Sequence, residues 1–230
     1  MHHKSHYRPS LFATLKEVLC GKAVSRTLTN LFWRQTSPVW GNILDIGSGG
    51  GRASHYRFLP LVPGARVQTL DASPKSGAHF VLDITKEPVP LADGSQNFVF
   101  LFNVLEHLKE HEFVLTEIHR LLGSGGKLIG TIPFLINVHR DPEDYVRLTD
   151  TALHDLFTSH GFSVERIEPI GRGPFLAAYE QFDMLMWSPL HLLFLPIIWG
   201  LDGLLSLVRP KRDFAGQFPL AYNFVVEKRV

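Results

Sequence analysis

Short apolar runs recur along the chain and alternate with longer stretches whose apolar residues fall at helical spacing. Residues 42–46, 67–70, 80–82, 98–102, 127–132, 162–167 and 222–226 are too short for a typical helix and predict seven strands. Between them, Phe113, Val114, Ile118, Leu121 and Leu122 mark a helix over 110–122, with Gly123 placed as its C-terminal cap. Residues 52–59 predict a helix after the first strand, and Thr149 caps another that runs to about Ser159, with Gly161 beyond it. Ahead of the first strand, Leu11, Leu15, Val18 and Leu19, then Leu28, Leu31 and Phe32, predict two short helices broken near Gly21. Strands alternating with helices imply a doubly wound α/β sheet, mostly parallel.

With 230 residues, one core with additions is expected: a helical extension over 1–40 and a main domain over 41–230. An apolar helical insertion at about 175–208 precedes the last strand. Hydrophobic residues make up 45% and charged residues 20%, which suits a folded domain. Lys plus Arg number 23 against 22 Asp plus Glu, so no net field favours nucleic acid, and none is expected as a partner. Cys20, the only cysteine, excludes a disulfide framework and fits a reducing, cytoplasmic compartment; standing alone it reads as a small buried hydrophobe. The first residues lack the apolar run of a secretory signal, and His2, His3 and His6 read as a frayed end.

The chemistry concentrates after the first strand, in Leu44-Asp45-Ile46-Gly47-Ser48-Gly49-Gly50-Gly51. Glycines here let the backbone turn sharply and let a ligand approach, and a following helix N-terminus presents free amides; the bland alternative is a tight turn packed under a helix. Arg52 stands where a dinucleotide fingerprint needs glycine, which argues against NAD. Ile46 stands where a serine-hydrolase elbow needs glycine, and Leu121 and Leu128 break a phosphate-loop pattern around Gly123 to Lys127. About twenty residues on, Asp71 follows the second strand, where a carboxylate can accept from both ribose hydroxyls or simply cap the turn Asp71-Ala72-Ser73-Pro74.

Together with Asp83-Ile84, Asn103-Val104-Leu105-Glu106-His107 and Leu122-Gly123-Ser124-Gly125-Gly126-Lys127-Leu128, these motifs resemble class I S-adenosylmethionine-dependent methyltransferases over about residues 40–170. The resemblance implies a Rossmann-like, seven-stranded fold and S-adenosyl-L-methionine as cofactor. It implies that Asp45, Gly47, Ser48, Gly49 and Gly51 hold the methionine part, Asp71 with Ala72 the ribose, and Asp83 with Ile84 the adenine. Asn103, Val104 and Glu106 would line the other side. Val99 departs from the acidic residue many relatives carry in the fourth strand, yet that strand still reads as buried. The stretch from His139 to Thr149 resembles a narrower subgroup associated with bacterial surface-polysaccharide or secondary-metabolite pathways.

For a hydroxyl acceptor, a histidine near neutrality suits proton removal, and His107 and His139 follow the fourth and fifth strands. Either can instead be a structural histidine bonded to a backbone carbonyl. Asp141, Asp144, Tyr145 and Arg147 form a polar loop suited to a small-molecule or saccharide acceptor; the spacing matches no metal-ligand pattern, and no metal is expected. In residues 184–208, Pro189, Pro196, Gly200, Asp202 and Gly203 interrupt an apolar run, which argues against a membrane-spanning helix. His191, Asp202, Ser206 and Arg209 share one narrow face, and the wide apolar face is expected to meet the core, a second copy of the chain or a membrane surface.

Overall fold

Residue order dictates a sheet whose middle strands are buried on both faces. In the computed structural model, which describes residues 6–49, 53–183 and 185–229, that sheet is present. Gly50, Gly51, Arg52, His2, His3 and Met184 lie outside the described residues, and with them the role expected of Gly51. Along the chain come α1 (Leu11–Val18), α2 (Val24–Trp33), β1 (Asn42–Ile46), β2 (Arg66–Asp71), β3 (Phe80–Val81), β4 (Gln96–Phe102), α3 (Glu112–Leu121) and β5 (Leu122–Pro133). Then follow α4 (Asp150–Ser159), β6 (Phe162–Ile170), α5 (Pro174–Asp183), α6 (His191–Val208), α7 (Phe214–Gln217) and β7 (Ala221–Lys228).

All seven expected strands form, in the order β3-β2-β1-β4-β5-β7-β6. β1 runs parallel to β2 and β4, β2 to β3, and β4 to β5, with Asp45 in register between Thr69 and Phe100. Ile43, Leu44, Ile46, Val99, Phe100 and Leu101 are buried, which is why β1 and β4 read as near-continuous apolar runs. Because these five strands point one way, the segments that leave β1 to β5 emerge at one edge of the sheet, the usual ligand edge of open α/β folds.

The chain divides into two compact units. One comprises residues 36–132, 138–167 and 223–230 and holds most of the sheet with α3 and α4. The other comprises 1–35, 133–137 and 168–222 and holds α1, α2, α5, α6 and α7.

Several expectations are corrected. The helix expected over 52–59 is, among the described residues, a single 3-10 turn, Ser54–Arg57, and Pro60 disfavours helical backbone at Leu59 before it. Gly123 is not a helix cap: α3 passes directly into β5 at Leu122, and a Cβ on Gly123 would stand 3.1 Å from the Gly94 carbonyl oxygen. Cys20 is exposed, since it sits in the turn after α1, off that helix's apolar stripe. His6 is not frayed: its Nε2 lies 2.7 Å from Asp213 Oδ2 and its Nδ1 3.7 Å from Glu168 Oε1. The Thr149 cap is present, its hydroxyl accepting from the Ala152 amide at 3.3 Å.

α6 runs unbroken for 18 residues through Pro196, and among the described residues it is long and apolar enough to cross a membrane by length and composition alone. Its packing is inverted. His191, Leu195, Trp199 and Asp202 form the buried stripe. His191 Nδ1 lies 2.7 Å from the Tyr179 hydroxyl, and Asp202 accepts from the Phe175 and Leu176 amides at 3.1 and 2.9 Å, closing the N-terminus of α5. The Arg172 guanidinium stacks over Trp199 at 4.7 Å. Outward stand Leu192, Leu193, Ile197, Leu204, Leu207 and Val208, each more than half exposed.

Candidate functional site

The turn after β1 is shaped by contacts from its neighbours. The Gly47 amide donates to the Leu70 carbonyl at 2.7 Å, and Gly47 has φ +77°, where a Cβ would stand 2.7 Å from Val104 Cγ2. Gly47 is therefore required twice over, by its conformation and by the β4 loop pressed against it. The Gly49 amide donates to Asp71 Oδ2 at 3.1 Å, while the Ser73 amide donates to Oδ1 at 2.8 Å. Asp71 thus caps its own turn and also ties the β2 loop to the glycine loop, with Ala72 exposed beside it. Asn103 enters the left-handed region at φ +53° as the chain leaves β4, its amide donating to the Thr131 carbonyl at 2.8 Å.

Asp83 is engaged locally. Its Oδ1 accepts from the Thr85 amide and hydroxyl at 3.0 and 2.6 Å, and Oδ2 pairs with Lys86 at 2.8 Å. Lys86 and then Thr85 hold its carboxyl below the ordinary range. Ile84 beside it is buried.

Asp45 carries a support the sequence did not disclose. Its Oδ2 lies 2.9 Å from His55 Nε2 and accepts from the Tyr56 hydroxyl; burial, then the Asp45 charge, drives that phenol well above its usual range. His55 stacks on Phe102 with ring centroids 4.2 Å apart. The other oxygen, Oδ1, is buried and has no hydrogen-bond partner among the described residues. No motif flags His55 or Tyr56, because their roles arise from a 3-10 turn where helical spacing predicts an amphipathic helix.

The second focus joins the loops after β4 and β5. Glu106 is fully buried, neither carboxylate oxygen has a hydrogen-bond partner among the described residues, and burial pushes its carboxyl up to about 8, with Arg147 opposing. The Tyr145 amide donates to the Glu106 carbonyl at 2.8 Å. His107 Nδ1 lies 2.5 Å from the Glu143 carbonyl oxygen, so Nδ1 donates and a neutral ring keeps its lone pair on Nε2. That Nε2 is 3.8 Å from Glu106 Oε1, and His139 Nε2 is 3.9 Å from the same atom. The two rings meet edge to face at 5.3 Å.

The four residues expected to recognise the acceptor divide into two pairs. Asp144 is buried at its carboxylate and forms a two-pronged pair with Arg147, one bond at 2.6 Å; it also accepts from the His139 amide at 3.0 Å. Arg147 draws the Asp144 carboxyl down to about 2. These two residues hold the loop in shape, whereas Asp141 and Tyr145 present exposed side chains.

Residues 44–130 match the family described as methyltransferase domain. Over this segment, from β1 into β5, the chain is similar to methyltransferase domains. The methyltransferase fold extends beyond the matched segment. The chain resembles the [4+2]-cyclase SpnF at 15% identity, covering 100% of this chain and 88% of that one, with a TM-score of 0.58. It resembles the S-adenosyl-L-methionine complex of phosphoethanolamine N-methyltransferase 2 from Haemonchus contortus at 17% identity, covering 95% and 56%, with a TM-score of 0.55. An S-adenosylmethionine-dependent methyltransferase from Mesorhizobium loti gives 15%, 91%, 100% and 0.53 for the same quantities. Likeness at these identities concerns the fold, and the cyclase shows that the fold serves more than one chemistry. A stretch of 101 residues is 35% identical to part of the highly reducing polyketide synthase NEC1 of Pyricularia oryzae, covering 41% of this chain but only 4% of that protein.

Proposed function

We propose that the chain binds S-adenosyl-L-methionine at the shared edge of β1 to β4 and transfers its methyl group to a small-molecule acceptor, at oxygen, with a saccharide as the preferred class. The observation that carries this reading is Asp45 Oδ1, a buried carboxylate oxygen without a hydrogen-bond partner among the described residues, close to Gly47, where a Cβ would collide with Val104. Such an atom is costly unless a donor meets it, and an amino-acid ammonium is a fitting donor. In this reading Asp45, Gly47, Ser48, Gly49 and Gly51 hold the methionine part, Asp71 and Ala72 the ribose, Asp83 and Ile84 the adenine, and Asn103, Val104 and Glu106 the remaining side.

When bound, the cofactor supplies a methyl group already activated on a sulfonium, so the protein chiefly has to align the reactants and exclude water. His107, with Nδ1 tied to Glu143, offers Nε2 to receive an acceptor proton; His139 beside it offers the same. The exposed Asp141 and Tyr145 supply polar and aromatic contacts suited to a sugar. Calorimetry with S-adenosylhomocysteine and NADH tests the cofactor. The parent is expected to bind the former alone, and Asp45→Asn to bind it at least about 10-fold more weakly. Tight NADH binding would overturn the assignment. Labelled methyl transfer into a cell extract then separates an enzyme from a binder without catalysis.

The outward face of α6 supports a second element of the proposal, contact with the cytoplasmic surface of a membrane. Six apolar side chains more than half exposed on one helix exceed what a monomer in water ordinarily presents, and the exposed Arg209, Lys211 and Arg212 follow directly. A helix lying at the headgroup boundary accounts for both.

A further inference from the structure

A buried carboxylate with neither oxygen hydrogen-bonded among the described residues calls for an explanation, and Glu106 is one. The cofactor reading gives it a lining role but no partner. Facing the same oxygen, Oε1, stand His107 Nε2 at 3.8 Å and His139 Nε2 at 3.9 Å, and the three candidate ligand atoms all lie within 4.8 Å of one another. From this we infer that Glu106, His107 and His139 form a binding site for one divalent first-row transition cation.

The donor set fits that chemistry. Two imidazole nitrogens and one carboxylate oxygen suit manganese, iron, cobalt or zinc, whereas magnesium and calcium prefer oxygen alone. His107 is also oriented from behind, and His139 has a carboxylate close to its far nitrogen. His107 Nδ1 donates to the Glu143 carbonyl, which fixes the tautomer that leaves Nε2 bare. His139 Nδ1 lies 3.8 Å from Asp144 Oδ2, and the same carboxylate accepts from the His139 amide. Asp144 is in turn locked by Arg147, so an outer carboxylate backs an inner imidazole.

Distances are close to what is needed. Ligand bonds of about 2.1 Å at a tetrahedral ion set neighbouring ligand atoms about 3.4 Å apart. The two measured sides must shorten by roughly half an ångström. His139, the most exposed of the three at 42%, can rotate to do so. Three protein ligands leave positions for water or for an acceptor oxygen; with the ion in place both Nε2 atoms are coordinated, so the ion instead of a histidine base would ease loss of the acceptor proton, and this last role, unlike the site itself, rests on the methyl-transfer reading.

The test uses the full chain, stripped with chelator and titrated calorimetrically with manganese, zinc and cobalt chlorides. Cobalt also reports its ligands through visible absorption. The expected result is one cation per chain, bound at least about 100-fold more weakly by Glu106→Gln and by His139→Ala, and about 10-fold more weakly by Asp144→Asn. His139→Ala removes a half-exposed side chain, so it guards against misfolding of the Glu106 variant, and unfolding curves of all variants are recorded. A His2→Ala, His3→Ala, His6→Ala background is expected to bind as the parent does. The site is disproved if the parent binds none of these ions below about 1 mM, if either ligand variant matches the parent, or if the terminal substitutions abolish binding. S-adenosylhomocysteine binding by the chelated parent is measured in parallel. Its persistence without cation binding sinks the cation site alone, and its loss sinks the cofactor reading alone.

Discussion

Replacing Leu193 and Ile197 together with glutamate tests the placement of α6 at a membrane. Both side chains are more than half exposed and lie one turn apart on the outward stripe, so the substitution leaves the packing of His191, Leu195, Trp199 and Asp202 intact. Burying a leucine or isoleucine fully is favourable by about 1.5–3 kcal/mol, so the exposed part of each of the six outward residues contributes roughly 1 kcal/mol on entering the acyl boundary. The face as a whole then supplies roughly 6 kcal/mol, and each basic residue near an anionic surface adds about 1 kcal/mol. The double variant forfeits about 2 kcal/mol and must also desolvate two carboxylates, which amounts to at least about a 100-fold loss of partitioning. Cosedimentation with vesicles of phosphatidylglycerol and phosphatidylethanolamine reads this directly. The parent is expected in the pellet and the variant in the supernatant, both with the same unfolding midpoint. A parent that stays in solution, or a variant that pellets equally, refutes the reasoning; a dimer that ignores vesicles assigns the face to a second copy of the chain.

Other perturbations address the interior. Gly47→Ala, at φ +77° and against Val104, is expected to cost about 1–3 kcal/mol in denaturant titration and to weaken S-adenosylhomocysteine binding in calorimetry. Arg120 donates to Glu117 and Asp93 and to the Val89 and Leu91 carbonyls, so Arg120→Ala should lower stability by about 2–3 kcal/mol in urea unfolding. Burial raises the Glu180 carboxyl to about 7 from its ordinary 4.5, with Ser25 opposing. Between those values the folded chain keeps a proton that the unfolded chain has lost, so its contribution is whole below about 4.5 and disappears as pH rises through about 7. Glu180→Gln should therefore match the parent near pH 4.5 and exceed it at pH 8 by at most about 3 kcal/mol. A difference that does not change with pH would dismiss that account.

The sheet was legible because β1 and β4 are apolar on both faces and their neighbours end in polar turns, patterns that survive any detail of packing. The Thr149 cap and the break near Gly21 were legible for the same local reason. What failed involved competition between local rules and close approach. Gly123 looks like a cap by position, yet what favours glycine there is the Gly94 carbonyl, which leaves a Cβ little room. The motif residues Glu106 and His107 were visible, but their convergence with His139 depends on the loops after β4 and β5 meeting at one edge, which spacing along the chain does not encode. For α6, the wheel revealed a narrow polar face without saying whether that face points in or out, and Tyr179 and the amides opening α5 decide that it points in.

Asp202 gives that decision permanence. Rolling α6 about its axis to hide its leucines would carry Asp202 out to solvent and leave two backbone amides at the start of α5 without their acceptor, so the helix has no inexpensive way to turn over. A chain released from the ribosome therefore presents its greasy side from the moment the helix pair docks. Purification without detergent or lipid should drive it toward clumping, and the yield of dispersed protein becomes a readout of how quickly that side finds its cover.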